Sequence, residues 1–267
     1  METGQVGRVV ADGPGGHRAA DDRVARLERA RRVLRRVGQV PRTLPAPVGE
    51  SRRDAVLPVP EPLTELFPHG GLRRGGTVAL RPGPATTSLL LTLLAEASAR
   101  GAWVGVVNRP DLGLAAAAEA GVRLDRLALV PHASASDLVA VTAALLDGLD
   151  LVALAGVEPW GLHAGERRRL AARARQSGAV LVALGAWPGA DAELSCVSAR
   201  WHGIGSGIDG GSGRLVTRDV HVRAHGRGIP PRGRSVRLRL PAPGGGVARA
   251  PLGVRESSDA EWAEVGG

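Results

Sequence analysis

The sequence predicts an α/β fold in which a mostly parallel sheet is covered by helices on both faces. Short uncharged runs of Val, Leu and Ala alternate with longer stretches of helical periodicity between residues 77 and 184. Buried parallel strands have this continuous apolar character, and the helices that connect them lie on the two faces of the sheet. At 267 residues the chain is long enough for one domain of this class with extensions.

Strands and helices follow one another in a regular order along the central part of the chain. The predicted strands are residues 77–80, 102–107, 127–130, 151–154 and 180–184, and the predicted helices between them are residues 89–100, 112–120, 136–149 and 165–176. The pattern changes after Trp187. There we expect a strand at residues 194–201, a Gly-rich loop at residues 204–213, and antiparallel strands at residues 215–224 and 235–240. The expected architecture is a parallel sheet with a C-terminal antiparallel β hairpin.

The two ends of the chain differ in composition from its centre. We expect a disordered Gly-rich start (residues 1–20), an amphipathic basic helix (21–38), a Pro-rich linker (39–62), a core with a basic hairpin (63–240) and a disordered acidic tail (241–267). The apolar residues of the basic helix recur at helical spacing and are the candidate partner-binding residues, namely Val24, Leu27, Leu34 and Val37. The alternative is that this helix packs on its own domain.

The protein contains no lysine, so all 35 of its Lys and Arg residues are arginines. The formal net charge is +9, and such a surface attracts polyanions, with nucleic acid the usual candidate. Residues 214–239 contain eight arginines and one aspartate, so much of this charge is local. The candidate nucleic-acid-binding residues are Arg214, Arg218, Arg223, Arg237 and Arg239, of which the last three are expected on exposed faces. The alternative is a solvated basic face that reflects GC-rich genomic composition.

Other features of the sequence exclude several kinds of site. Cys196 is the only cysteine, so we expect neither a disulfide framework nor a cysteine-based zinc site. His221 and His225 lie close in sequence, but no third metal ligand is evident. No apolar stretch of about 18 residues predicts a transmembrane helix, and residues 1–16 lack the features of a secretory signal. We therefore expect a cytoplasmic protein, with nucleoid association as an option, that has no membrane contact, metal or other cofactor.

Residues 75–90 have the order strand, loop, helix that is typical of phosphate-binding loops. A working loop needs glycines whose N–H groups surround the phosphates, a lysine for the terminal phosphates and a hydroxyl for magnesium. Here the first glycine position holds Arg81, the second holds Thr86, the lysine position holds Thr87, and only Ser88 keeps the expected residue type. The loop is therefore degenerate, and we expect it to bind no nucleotide.

The carboxylate that would hold magnesium is missing as well. Such an acid lies at the end of a core strand, where this sequence has Ala155. Asp150 begins the same strand, at the opposite end from a nucleotide. Asn108 and Arg109 follow the second strand, where a base that activates water is expected. We therefore expect the protein not to be an enzyme.

Residues 120–130, the helix that follows them and the strand at residues 150–156 resemble the RecA core, and in particular the ImuA family of bacterial mutagenesis cassettes. Residues 63–76 are similar to the segment that precedes the first strand in that family. The resemblance covers roughly residues 57–240 and rests on the order and spacing of the elements. The degenerate loop is most similar to the actinobacterial branch of the family.

The resemblance implies a RecA-like core and a role in translesion synthesis as part of the SOS response to DNA damage. Proteins of the ImuA family work with ImuB, a catalytically inactive relative of Y-family polymerases, and with an error-prone C-family polymerase. The expected function is a non-catalytic adaptor that binds such a partner, with direct DNA contact as an option. Three alternatives stay open: a divergent nucleotide-binding protein in which Arg81 or Arg109 replaces the lysine, a SulA-like inhibitor of cell division, and a plain binder of single-stranded DNA.

Overall fold

A computed structural model of the protein describes residues 56–156, 162–204, 213–242 and 245–251. The predicted basic helix, with Val24, Leu27, Leu34 and Val37, lies outside the described residues, as do residues 205–212 of the predicted Gly-rich loop. None of the helices in the described ranges is long and apolar enough to cross a membrane.

Eleven strands and four α-helices make up the described ranges, together with two short 3-10 helices. The strands are β1 (Val56–Pro58), β2 (Gly71–Arg73), β3 (Thr77–Leu80), β4 (Val104–Val107), β5 (Leu127–Val130), β6 (Leu151–Leu154), β7 (Val180–Leu184), β8 (Ala192–Ile204), β9 (Gly213–Gly226), β10 (Arg234–Leu240) and β11 (Ala248–Arg249). The α-helices are α1 (Thr86–Ala99), α2 (Leu114–Glu119), α3 (Leu138–Gly148) and α4 (Ala164–Ser177), and the 3-10 helices cover Glu61–Leu66 and Leu124–Arg126. Strands β3, β6 and β7 begin and end at the predicted residues, because each is a short uncharged run that is buried on both faces.

A single nine-stranded sheet runs through the molecule in the order β11-β10-β9-β8-β3-β7-β6-β4-β5. The six strands from β8 to β5 are parallel, whereas β9, β10 and β11 are each antiparallel to the preceding strand. This arrangement confirms the predicted α/β class, the mostly parallel sheet and the C-terminal antiparallel hairpin. The antiparallel strands β9, β10 and β11, together with β8, are referred to below as the extension.

Helices cover both faces of the parallel sheet. On one face α1 packs on Val78 and Leu80 through a row of fully buried leucines, namely Leu89, Leu90, Leu93 and Leu94. On the other face α3 and α4 pack on Ala79 and its neighbours. Successive residues of a strand point to opposite faces, so the two apolar clusters divide β3 between them. Along the extension only the α1 side joins this core, through Val220, Val222 and Leu238.

Local hydrogen bonds explain where the helices begin and end. Helix α1 begins earlier than the predicted residue 89, because the hydroxyl of Thr86 lies 2.9 Å from the Arg81 carbonyl oxygen and 3.1 Å from that of Gly83 and so closes a turn. Helix α4 begins after His163, whose N–H donates to Glu166 at 2.7 Å. It ends at Gly178, where a φ of 75° favours glycine.

The core extends beyond both boundaries that the sequence predicted. Residues 56–62 were expected in the linker, yet β1 pairs with β2 and the Leu57 side chain is buried. Residues 245–251 were expected in the tail, yet β11 adds a final strand to the sheet. Arg249 of that strand lies 3.7 Å from the Glu61 carboxylate, and this ion pair joins the two added segments.

An ion pair holds the amino edge of the parallel sheet. Asp150 accepts hydrogen bonds from the Arg74 guanidinium and the Trp103 N–H, both at 2.9 Å. Both charged side chains are about nine-tenths buried. Asp150 therefore lies at the edge opposite the degenerate loop, where the sequence had placed it.

Candidate functional site

The connections between strands locate the edge at which a ligand is expected. The chain crosses from β3 past β7 and β6 to β4, and it returns from β5 through β6 and β7 to β8 on the far side of β3. The direction of the connections therefore reverses beside β3, and open α/β sheets bind ligands outside the carboxyl ends of strands at such a point. The degenerate loop follows β3 at this edge.

The loop is packed closely against the extension. The N–H of Arg81 donates to the Leu194 carbonyl oxygen of β8 at 2.8 Å. A Cβ atom added at Gly83 would lie 3.0 Å from the Cys196 carbonyl oxygen, so only glycine fits there without a shift of the backbone. Thr86 uses its hydroxyl to close the loop on itself. The glycine-rich cradle that would surround phosphates is thus replaced by a tight turn.

Arg218 of β9 extends into this loop from the far end of the sequence. Its guanidinium donates to the Pro84 carbonyl oxygen at 2.6 Å and to the Ser88 hydroxyl. The side chain is buried, and the Trp201 ring stacks on it with 4.8 Å between the guanidinium carbon and the ring centroid. Burial lowers the pKa of Arg218, and no carboxylate among the described residues pairs with it. Ser88, which alone keeps the residue type of a phosphate loop, is therefore bound to a cation from its own chain.

The neighbouring residues at this edge are also engaged with one another. Thr87, at the lysine position, accepts a hydrogen bond from Arg109 at 3.1 Å. Arg109 also donates twice to Asp111, at 2.8 and 3.0 Å, and these hydrogen bonds hold the pKa of the Asp111 carboxyl below its usual value. Arg81 lies 3.8 Å from the Glu193 carboxylate. Both arginines proposed as substitutes for the lysine thus have acidic partners already.

A magnesium nucleotide, which the RecA resemblance implies, does not fit these residues. The Ser88 hydroxyl would have to contact the metal, but it holds the Arg218 guanidinium. The end of β6 carries the buried methyl group of Ala155 where a carboxylate would be required. Asn108, at the end of β4, has a φ of 60°. Its side-chain amide fills the space beside Gly156, where a Cβ atom would lie 2.5 Å from the amide nitrogen.

A second candidate site lies on the outer face of the extension, the face turned away from the α1 side of the core. A groove of about 380 Å³ crosses it. The lining side chains include Ser198, Arg200 and His202 of β8, Asp219 and His221 of β9, Arg237 and Arg239 of β10, and the residues Ala250 and Pro251 after β11. We call this the outer-face groove. It brings together Arg237 and Arg239, which were predicted from the sequence to bind nucleic acid, and Arg200, which was not among the predicted residues.

The other predicted arginines are placed differently. Arg223 is exposed on the same face, next to the groove. Arg218 was predicted to bind nucleic acid, but the structure corrects this, because the alternation of β9 turns it to the inner face with Val220 and buries it against the loop. Arg214 lies near the start of β9, and its side chain is outside the described part of the chain.

Asp219 links three strands within the groove. Arg239 donates to its two carboxylate oxygens at 2.7 and 2.8 Å, and His202 lies 2.9 Å from one of them. The hydrogen bonds from Arg239 are the main reason that the pKa of Asp219 is lowered, and His202 adds to the effect while burial opposes it. In the described ranges no group of three or more His, Cys, Asp or Glu side chains is arranged to hold a metal ion.

The fold and these two sites define an α/β protein whose ligand edge is closed by its own arginine and whose extension carries a cationic groove. Residues 65–189 match the family model described as the MT3502 N-terminal domain. The chain is also similar to the uncharacterized protein Rv3395c of Mycobacterium tuberculosis, with 40% identity over 132 residues. That match includes 47% of this chain, and the chain spans 64% of the length of the relative. The family model ends before β8, so Arg218 and the outer-face groove lie beyond it.

Proposed function

We infer that the protein is a non-catalytic accessory protein of damage-induced translesion synthesis, which binds a Y-family polymerase-like partner and contacts DNA. The observation that carries its non-catalytic nature is the contact of Arg218 with Pro84 and Ser88. A buried cation occupies the position where a phosphate loop would hold magnesium and phosphate, and Ala155 supplies no acid. The loop therefore serves to join the parallel sheet to the extension.

The RecA-like part of the proposal is supported by the resemblance and by the placement of the loop. Strand β3 lies inside the parallel sheet between β7 and β8, and it is followed directly by the loop and α1. That is the order strand, loop, helix which a phosphate-loop ancestor would have had. The role in translesion synthesis and the polymerase-like partner rest on the resemblance to the ImuA family. Contact with DNA is supported by the arginines of the outer face.

Nucleotide hydrolysis by the purified chain tests the non-catalytic part. We expect no ATP hydrolysis above the buffer rate, and no difference between the wild type and Ser88→Ala. Hydrolysis that disappears in Ser88→Ala would show that the loop retains catalysis and would overturn the proposal.

Co-purification of the tagged full chain from damaged cells tests the partner. We expect a Y-family polymerase-like protein to be recovered, and a chain that lacks residues 1–40 to lose it if the apolar residues Val24, Leu27, Leu34 and Val37 form the contact. Recovery of the division protein FtsZ in place of any polymerase component would instead favour the SulA-like alternative. Recovery of nucleic acid alone would favour a plain DNA binder.

A further inference from the structure

We propose that the outer-face groove binds the phosphate backbone of a nucleic acid without regard to base sequence. The proposal rests on the DNA contact included in the proposed function, and it adds the site, its residues and the class of ligand. Its main residues are Arg200 and Arg237, which come from strands on either side of β9.

The strand register gathers the cationic side chains on one face. Arg237 of β10 lies opposite His221, which in turn lies opposite Ser198 of β8. In the next row Arg200 and Arg239 flank Asp219. Side chains that are directly opposite on neighbouring strands are about 5 Å apart at their Cβ atoms, so these two rows form one continuous patch.

The charge of the groove favours an anionic ligand. Three arginines line it and Asp219 is the one carboxylate among the described lining residues. That carboxylate is already bound by Arg239 and His202. Arg200 pairs with no carboxylate in the described ranges, and exposed Arg223 extends the positive charge along β9. A bound phosphate could accept two parallel hydrogen bonds from a guanidinium, which makes arginine well suited to this ligand.

The lining residues also indicate which part of a nucleic acid is bound. The described lining residues include no Trp, Tyr or Phe, and the rings among them are the imidazoles of His202 and His221, the first of which is held by Asp219. Trp201, the nearest exposed aromatic residue in the strand, points to the inner face, where it covers Arg218. Contacts to phosphates alone carry no sequence information, and we therefore expect binding that is electrostatic, sequence-independent and sensitive to salt.

The chain itself carries an acidic segment whose charge is opposite to that of the groove. Pro251 is at the rim of the groove, and residues 252–267 continue from it with four acidic residues and one arginine, the acidic ones being Glu256, Asp259, Glu261 and Glu264. Such a segment has the charge to occupy the groove in place of nucleic acid. The test therefore has to separate the two occupants.

Fluorescence anisotropy of a labelled oligo-dT with the purified full chain tests the proposal. We expect Arg200→Ala with Arg237→Ala to weaken binding about tenfold or more and to reduce the slope of log Kd against log salt by about 1.4, since each phosphate contact to a single strand contributes about 0.7. The matched control is Arg168→Ala with Arg169→Ala, which removes two exposed arginines from α4 and should preserve both affinity and slope. Arg200→Lys with Arg237→Lys keeps the charge and should retain most of the slope.

Three results would overturn the proposal. The first is an equal loss of affinity in the groove and control variants, and the second is a strong preference among oligonucleotides of different base sequence. The third is the absence of binding by both the full chain and a chain that ends at Pro251, which would leave no binding to assign to the groove. The assay contains no protein partner, so its failure leaves the adaptor function intact, whereas failure of the co-purification leaves the groove intact.

Discussion

At the scale of single residues, the interpretation of the loop after β3 as a link to the extension depends on Arg218. It places a buried positive charge beside the first turn of α1, where the N–H groups already carry partial positive charge, so the helix dipole does not favour it. Its Nε atom is buried without a hydrogen-bond partner. The arginine is held instead by the Pro84 carbonyl oxygen, the Ser88 hydroxyl and the face of Trp201. Those contacts make it a link between the loop and β9.

Replacement of Arg218 by alanine should lower the free energy of unfolding by about 2 kcal/mol, because two hydrogen bonds from a charged donor are lost and a buried side chain is removed. Urea denaturation followed by circular dichroism measures this change. Arg223→Ala is the matched control, since it removes an exposed arginine from the same strand and should change stability by less than about 0.5 kcal/mol. Equal effects of the two substitutions would show that the Arg218 contacts do not hold the loop.

The orientation of Arg218 could have been predicted from the sequence, but its contact could not. Arg218, Val220 and Val222 alternate along one strand, which places all three on the buried face. The Pro84 carbonyl oxygen that it contacts is 134 residues away in the sequence. A contact between residues so far apart in sequence cannot be predicted from a local pattern, because it is the order of strands in the sheet that brings β9 to the loop. The degenerate residues Arg81, Thr86 and Thr87 were visible in the sequence, because their positions relative to β3 define them.

At the scale of elements, the extension is a sheet with one buried and one polar face. Its inner residues Val220, Val222 and Leu238 pack in the core, whereas the outer residues of β8, β9 and β10 are polar or charged. Asp219 joins these three strands, because it binds Arg239 on one side and His202 on the other. Cross-strand pairs of this kind contribute to the stability of antiparallel sheets.

The lowered pKa of Asp219 makes the extension sensitive to acid. The folded-state pKa lies below the ordinary value of 3.8, chiefly because Arg239 donates to the carboxylate, so the ionised form stabilises the fold above that value. This contribution is lost as the pH falls through the folded-state pKa, in the range below about pH 4. Asp219→Asn should therefore be less stable than the wild type near neutral pH, and the difference should shrink in acid. Urea denaturation midpoints near neutral pH and below about pH 4 measure this difference in stability. The control is Glu119→Gln, which changes an exposed carboxylate on α2. A difference that does not depend on pH would contradict the prediction.

The sequence predicted the elements unequally, for physical reasons. Strands β3, β6 and β7 are buried on both faces, and a continuous apolar run marks their ends. Strands β1, β2 and β11 are only two or three residues long, and they contain no run that could be recognised. On β8, Arg200 and His202 were missed as groove residues, because their neighbours Asp219 and Thr217 lie on another strand across a shifted register.

At the scale of the whole molecule, the parallel sheet and the extension contribute different features. The match to the MT3502 N-terminal domain stops at residue 189, before β8 begins, so it covers the parallel sheet up to β7 and not the extension. The extension supplies both the arginine that closes the loop and the arginines of the outer-face groove. The inner face of the extension thus holds Arg218 against the loop, whereas its outer face presents a cationic surface.

The acidic residues after Pro251 should modulate this cationic surface. They follow in sequence after Pro251, which lines the groove, and opposite charges attract across short distances in a way that salt screens. A chain that ends at Pro251 should therefore bind oligo-dT severalfold more tightly than the full chain at low salt, and the gain should disappear as salt is raised. Anisotropy titrations of both chains measure it. The same truncation combined with Arg200→Ala and Arg237→Ala should give no gain, because the segment then has no cationic partner to release. A gain that persists at high salt or without these arginines would mean that the segment acts somewhere other than at the groove.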